Sequence, residues 1–154
     1  MFRIGLVVNP DAGLGGRLGL KGSDGLALKA RAEGAEDRAG PRARSAMALL
    51  EKALTKYGAT VLISEGRMGS EWLDSESDIN TIVVHESSGT TSHEDTRELV
   101  KILVNQGVDL ILYAGGDGTT RDLIQTLEEN ESSTIPIVGI PCGVKMYSGC
   151  FASS

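Results

Sequence analysis

Glycine-rich loops follow directly on apolar runs at three places in this sequence. The runs are residues 2–8, 108–113 and 135–140, and each is apolar without alternation, as is typical of strands buried on both faces. Two further runs, residues 59–64 and 80–85, complete a set of five predicted strands. Helical segments separate them. The pattern predicts an α/β fold, an open parallel Rossmann-like sheet of about five strands with helices on both faces.

The helical segments are recognised by apolar residues spaced three and four positions apart. Residues 41–57 form such a segment, and Gly58 follows where a helix terminator belongs. A second helix begins after Thr91 or after Ser92, because each has an acidic residue three positions later, and it ends at Gly107. The stripe expected to face the core in the first helix is Ala46, Leu49, Leu50, Ala53 and Leu54.

The remaining segments are expected to be shorter or less regular. A helix follows the second glycine-rich loop and ends near residue 129, and residues 67–74 form a short helix. Residues 26–40 are rich in alanine and charge but are broken by Gly34, so we expect an irregular connection. The chain is expected to end inside a helix that the third loop opens.

Composition excludes several classes of protein. The chain has 154 residues and a net charge of −6, which argues against a nonspecific nucleic-acid binder. No apolar run approaches the roughly 20 residues of a membrane span, and the first residues lack the features of a signal peptide. The 2 cysteines form no disulfide framework. We therefore expect one cytoplasmic domain over residues 1–154, with nucleotides as partners rather than nucleic acid or membrane.

The three glycine-rich loops are expected to lie at one edge of the sheet, because the carboxyl ends of parallel strands meet there. Glycine lets backbone N–H groups converge on an anion, and a following helix adds partial positive charge. The sequence therefore predicts a phosphate-binding edge. Its candidate binding residues are Asn9, Gly13, Gly15, Gly16, Arg17, Lys21, Gly115, Gly116, Gly118, Thr119, Thr120, Gly143 and Lys145.

Simpler structural explanations exist for some of these residues. Asp117-Gly118 is a common hairpin turn, although the helical segment that follows argues against a hairpin here. Arg17, Lys21 and Lys145 have the alternative of a solvated surface position. In an acidic chain, their location inside glycine-rich loops favours phosphate.

Asp117 lies in the middle of a predicted phosphate loop, where its charge needs compensation. Magnesium supplies this when it bridges carboxylate and phosphate oxygens. Alternatively, the carboxylate accepts a proton from an attacking hydroxyl. The third option is a helix cap, a role for which Thr119 and Thr120 are equally suited.

Several motifs, taken in order, resemble one protein family. They are NPDAGLGG at residues 9–16, GLKGSDG at 19–25, GGDGT at 115–119 and GIPCGVKMYS at 139–148. Together they resemble the ATP-NAD kinase-like family of the NAD kinase, diacylglycerol kinase and phosphofructokinase superfamily, in the branch that includes the acetoin catabolism protein X. The resemblance extends over nearly the whole chain.

This resemblance implies phosphorylation of the adenosine 2′-hydroxyl of NAD, with ATP or polyphosphate as donor and magnesium as cofactor. By matching position, Asp117 is the catalytic or metal-linked aspartate, and the glycines and Thr119 of GGDGT hold phosphate or ribose. The family's second, β-rich domain is absent from these residues. The loop at 141–145 differs from the asparagine-containing loop of a typical NAD kinase, so the phosphoryl acceptor stays open.

Two other functions stay open as well. One is a nucleotide-binding module without catalysis, which the absence of a second domain favours. The other is a kinase for a lipid or sugar hydroxyl, although 4% aromatic residues and no basic amphipathic helix favour a lipid little. We also expect a homo-oligomer, because an open sheet leaves an edge and a face to be covered.

Overall fold

A computed structural model describes residues 1–14, 27–32, 34–87, 89–143 and 146–151. Five strands form one parallel sheet, which confirms the predicted α/β class. Their order across the sheet is β3-β2-β1-β4-β5. The strands are β1 Arg3–Val8, β2 Thr60–Ser64, β3 Asn80–His85, β4 Leu110–Gly115 and β5 Ile137–Pro141.

Helices pack on both faces of this sheet, as expected. The helices of the described residues are α1 Ala27–Ala32, α2 Ala39–Lys56, α3 His93–Asn105 and α4 Asp117–Glu129. α2 packs on one face of the sheet, and α3 and α4 pack on the other. Two single 3₁₀ turns, Gly66–Met68 and Ser70–Trp72, replace the short helix expected over residues 67–74. Among the described residues, no helix is both long and apolar enough to cross a bilayer.

The central strand β1 divides its side chains between two separate cores. Ile4 and Leu6 pack on the face that α2 covers, whereas Val7 packs with α3 and α4 on the other face. Gly5 points to that second face, where a Cβ would lie 2.6 Å from Leu103 Cδ1. The missing side chain at Gly5 therefore lets α3 lie close to the sheet.

Two expectations about elements were wrong. Of the stripe expected to face the core in α2, only Leu54 is buried and Leu49 is 86% exposed. The buried residues of α2 are Ala39, Gly40, Ala43, Met47 and Leu54. Residues 27–32 form α1 rather than an irregular connection. Of the five strands, β3 is the most exposed, and it lies at the sheet edge beside β2.

The end of the chain also differs from the expectation. Residues 146–151 are not helical, and Phe151 instead forms an isolated parallel bridge with Gly139 of β5. The amide of Gly139 donates to the carbonyl of Cys150 at 2.8 Å. This segment therefore continues the sheet beyond β5.

Candidate functional site

The site lies where the sheet changes direction, between β1 and β4. The chain proceeds from β1 to β2 on one side, and β4 returns to pair with β1 on the other. In open parallel sheets, ligands bind outside the carboxyl ends of the strands at such a switch point. The first residue after β1 is Asn9, and α4 begins directly after β4.

Asn9 joins these two strand ends. Its backbone N–H donates to the carbonyl of Ala114 at 2.9 Å, which continues the pairing of β1 with β4. Its side-chain Nδ2 donates to Thr119 Oγ1 at 2.9 Å, and its Oδ1 accepts the amide of Asp11 at 3.1 Å. One asparagine thus fixes both the first loop and the first turn of α4.

The third loop meets the other two at the same place. The amide of Cys142 donates to the carbonyl of Gly115 at 3.0 Å. Gly13 has a φ of 82° and lies so close to Cys142 that a Cβ would overlap its carbonyl oxygen. Within the described residues, the expectation that three loops converge on one edge is confirmed.

The GGDGT segment forms a helix start rather than a hairpin. Gly116 is the N-cap of α4 in extended backbone, and no side chain caps this end. Gly115 has no room for a Cβ, which would lie 2.5 Å from Thr119 Oγ1. Neither threonine performs the capping that the sequence suggested.

Thr119 and Thr120 are both 3% exposed, and their hydroxyls bond within the protein. Thr119 accepts from Asn9, and Thr120 donates to the carbonyl of Gly116 at 3.1 Å. The Thr120 hydroxyl also lies 2.6 Å from the hydroxyl of Tyr113. These bonds give Thr120 a structural role, whereas Thr119 also lines the cleft described below.

Asp117 binds the segment that follows the third loop. Its Oδ2 accepts the amide of Tyr147 at 2.8 Å, and its Oδ1 accepts the amide of Ser148 at 3.1 Å. The carboxylate is therefore not a helix cap, and it is held in one orientation by two backbone donors. Nothing in the local sequence around Asp117 indicated these contacts, since its partners lie 30 and 31 residues away.

The described residues contain no preformed metal site made of protein side chains alone. No group of three or more His, Cys, Asp or Glu side chains there is arranged to hold a metal ion. Both oxygens of Asp117 already accept backbone N–H groups. Each oxygen keeps a second lone pair, so the predicted role of Asp117 as a magnesium ligand stays a prediction.

A cleft of about 800 Å³ opens beside Asn9 and Thr119. Four arginines from four different parts of the fold line it, together with the loop before α3 and the first turns of α4. The arginines are Arg31 of α1, Arg67 of the first 3₁₀ turn, Arg97 of α3 and Arg121 of α4. These four arginines share no sequence motif, and only the fold brings them together.

Residues 4–154 match the family model of the ATP-NAD kinase N-terminal domain. The chain belongs to this family. Searches of curated proteins and of solved structures found no significant match. The family suggested by the motifs is confirmed, and at the family level this ATP-NAD kinase N-terminal domain is an NAD kinase-like nucleotide phosphotransferase domain.

The other predicted binding residues of this ATP-NAD kinase N-terminal domain fall into two groups. Gly116, Gly118 and Gly143 lie at the convergent edge, and a Cβ on Gly143 would lie 3.8 Å from the Cα of Gly116. The second group lies outside the described residues and consists of Gly15, Gly16, Arg17, Lys21 and Lys145. Ligand binding by either group stays a prediction.

Charge on the cleft wall of the ATP-NAD kinase N-terminal domain is held in place by ion pairs. Arg31 Nη2 lies 3.0 Å from Asp11 Oδ1 and 2.9 Å from Asp37 Oδ1. Burial opposes ionisation of Arg31, but its hydrogen bonds to these carboxylates prevail and raise its pKa above the ordinary value. Asp37 also binds Arg67 Nη2 at 2.6 Å, so one carboxylate fixes two arginines.

Proposed function

We propose that this chain is the nucleotide-binding part of an ATP-NAD kinase that phosphorylates the adenosine 2′-hydroxyl of NAD, with ATP or polyphosphate as donor. The observation that carries the proposal is the 2.9 Å hydrogen bond from Asn9 to Thr119. This bond joins the first loop to the GGDGT segment at the switch point of the sheet. The chain belongs to the ATP-NAD kinase N-terminal domain family. The adjoining cleft, about 800 Å³, is within the usual range for a small-molecule site.

In this proposal Asp117 receives the proton of the ribose hydroxyl. Each carboxylate oxygen has a second lone pair beyond the one that accepts a backbone N–H, so it can also accept the hydroxyl. The hydroxyl oxygen attacks the terminal phosphorus of the donor, its proton passes to Asp117, and ADP or the shortened polyphosphate leaves. Backbone N–H groups at the start of α4 and the cleft arginines oppose the negative charge of the transferred group.

The first test is calorimetric titration of the chain with NAD, followed by an assay for NADP after addition of ATP or tripolyphosphate, each with and without magnesium. We expect NAD to bind, and Asn9→Ala to weaken it about tenfold because the two loops are no longer joined. Asn80→Ala is the matched control, since Asn80 Nδ2 also donates to a threonine hydroxyl at 2.9 Å, far from the site in sequence and at the opposite edge of the sheet.

The possible products separate the proposed function from its rivals. Formation of NADP supports the kinase, whereas binding without any phosphorylated product indicates a nucleotide-binding module. Transfer to another hydroxyl compound instead of NAD identifies a kinase with a different acceptor. Absence of nucleotide binding up to millimolar concentrations contradicts the proposal.

Asp117→Asn tests the proposed proton acceptor. We expect NADP formation to fall by about 100-fold or more, because an amide cannot take the proton. Amide hydrogen exchange at Tyr147 and Ser148 should rise, since the carboxylate that holds them is lost. Asp109→Asn is the control, because Asp109 also accepts a backbone amide, at 2.8 Å, but lies at the other end of β4. Unchanged turnover in Asp117→Asn would remove Asp117 from the chemistry.

A further inference from the structure

The cleft beside Asn9 carries an excess of positive charge in an acidic protein. Its lining includes four arginines and two aspartates, Asp11 and Asp122, while the whole chain has a net charge of −6. Arginines that gather around an open cleft, rather than spread over the surface, raise the local concentration of anions. The start of α3 and the start of α4 both line the same cleft and add the partial positive charge of helix N-termini.

Carboxylates orient three of these arginines, Arg31, Arg67 and Arg97, through Nη2, and the other guanidinium N–H donors make no bond to a described residue. We call these three arginines the arginine wall. Toward the other described residues, every hydrogen bond and ion pair of the wall leaves from an Nη2 atom. A guanidinium has five N–H donors in a planar fork. Each arginine of the wall is thus held in position while Nη1 and Nε make no such bond within the part of the chain described.

The unpaired N–H donors are clearest at Arg97. Its Nη2 donates to Gln125 Oε1 at 2.7 Å and lies 3.4 Å from Asp122 Oδ1. Its Nε is buried and has no hydrogen-bond partner in the structure. A buried donor without an acceptor costs free energy, so such a group calls for an explanation. Nε has no exposed surface, so a ligand in the cleft reaches it only when the side chain shifts, whereas Nη1 makes no bond to the described residues and can donate to an anion there.

We propose that the arginine wall binds the phosphate chain of the phosphoryl donor. This inference rests on the proposed function, for which it supplies the donor subsite. A phosphate chain matches the wall because guanidinium forks pair with phosphate oxygens, and because a cleft of about 800 Å³ holds far more than one phosphate ion.

The position of the wall fits a donor as well. Arg31 Nη2 lies 3.3 Å from the carbonyl of Pro10, so the wall begins at the first loop. The same cleft is lined by Gly118 and Thr119 of the GGDGT segment. A phosphate chain on the wall therefore extends toward the edge of the sheet where Asp117 lies.

The test is calorimetric titration with tripolyphosphate and, separately, with ATP. We expect Arg97→Gln and Arg67→Gln each to weaken binding about tenfold, the usual loss for one charge-assisted contact. Arg44→Gln is the matched control, because Arg44 is an exposed arginine of α2 that bonds a backbone carbonyl and does not line the cleft. The affinity of the Arg44→Gln variant for tripolyphosphate and for ATP should stay within about twofold of wild type.

Asp122→Asn gives a second test that removes no arginine. It removes a carboxylate that competes with the ligand for Arg97, so tripolyphosphate should bind about threefold more tightly. If the phosphate chain binds away from this cleft, the variant leaves affinity unchanged, because Asp122 lines the cleft and repels an anion only from nearby. Should the arginine variants fail to fold, judged by circular dichroism, Asp122→Asn decides alone. Unchanged affinity in Asp122→Asn, or in both arginine variants when folded, overturns the inference.

Titration of the same variants with NAD separates this inference from the proposed function. If NAD binds and forms NADP, but tripolyphosphate binding ignores the wall, the donor subsite is wrong and the kinase stands. If tripolyphosphate binding depends on the wall while no nucleotide is phosphorylated, the phosphate subsite stands and the kinase is wrong. Equal losses with both ligands identify the bare phosphate chain as the recognised group, whereas a loss with ATP alone overturns the inference, because the wall then does not bind the phosphate chain by itself.

Discussion

Gly13 is the residue at which the first and third loops come closest. Its φ of 82° is one that side chains rarely allow, and a Cβ there would overlap the carbonyl of Cys142. A side chain at this position therefore forces the two loops apart. The separation would disturb the edge that Asn9 and the GGDGT segment share.

Gly13→Ala should therefore lower the free energy of unfolding by more than the strain of its positive φ alone, because the new Cβ also clashes with Cys142. Gly34→Ala is a matched control, since Gly34 has a φ of 89° but no atom within 4 Å of its Cβ position. We expect a loss of about 1 kcal/mol for Gly34→Ala, and of about 3 kcal/mol or more for Gly13→Ala because a steric clash is added. Urea denaturation measures both values. Equal losses would mean that the third loop moves aside without cost.

Residue types showed where the site lies but not how its side chains bond. Asn9 and the GGDGT glycines were selected because glycine loops after parallel strands bind phosphate, and the fold places them together. The partners of Asp117 were not predictable, since Tyr147 and Ser148 contribute backbone amides that any residue type would offer. The arginine wall was missed for a related reason. Its members lie on separate elements, and no spacing along the chain relates them.

The sequence offered two candidate N-cap residues for α3, Thr91 and Ser92, and in the structure the N-cap is Ser92. Ser92 Oγ accepts the amide of Glu94 at 3.2 Å, and Asp95 Oδ2 accepts the amide of Ser92 at 2.7 Å, which is a complete capping box. Thr91 lies outside the helix. Because this end of α3 lines the cleft, the cap also positions part of the site.

Ser92→Ala should therefore cost about 1 kcal/mol in the free energy of unfolding, since an orphan amide loses its acceptor. Thr91→Ala, one position earlier, should change stability by less than about 0.5 kcal/mol. Thermal or urea unfolding of the two variants checks this difference. A larger loss for Thr91→Ala would show that the cap lies one residue earlier.

Strong local patterns predicted elements well, and tertiary contacts decided the rest. β3 has the predicted bounds, residues 80–85, and α4 ends at residue 129 as expected. α1 was missed because six residues are too few for a pattern to be visible, and Arg31 ties it to Asp11 and Asp37 instead. Ile82 and Val83 of β3 are each about half exposed although they point to opposite faces of the sheet. This exposure accompanies the edge position of β3, which composition alone does not reveal.

For the whole molecule, the free energy of unfolding at alkaline pH depends on how the third loop packs around Cys142. Burial raises the pKa of the Cys142 thiol to about 11 from an ordinary value of 9.0. The unfolded thiol thus ionises at lower pH than the folded one. The stability contributed by its neutral form is complete below pH 9 and is lost as the pH rises through about 11.

The difference in unfolding free energy between wild type and Cys142→Ala should therefore shrink between pH 9 and 11. The change should reach up to about 2 kcal/mol. Urea denaturation at several pH values measures it, and the comparison of two variants cancels the titration of other groups. Parallel curves would mean that water reaches this thiol in the folded protein.

Several expectations for the whole molecule stay predictions: the single domain over residues 1–154, the cytoplasmic location, the homo-oligomer, and the preference for nucleotides over nucleic acid or membrane. The uncovered edge at β3 is a candidate surface for association, since its strand carries no lysine or proline that would discourage pairing. Sedimentation at tens of micromolar tests the homo-oligomer.

The order of the strands has a further consequence for how the protein is made. β1 pairs with β4, and the bond that joins the two sides of the site spans 110 residues, from Asn9 to Thr119. At a synthesis rate of roughly 5–20 residues per second, β1 waits about 5–20 s for that partner to be translated. The ribosome therefore releases an apolar strand that is open on one side before the site can close, and until β4 is made that strand contacts only elements translated earlier, chiefly β2, α2 and α3.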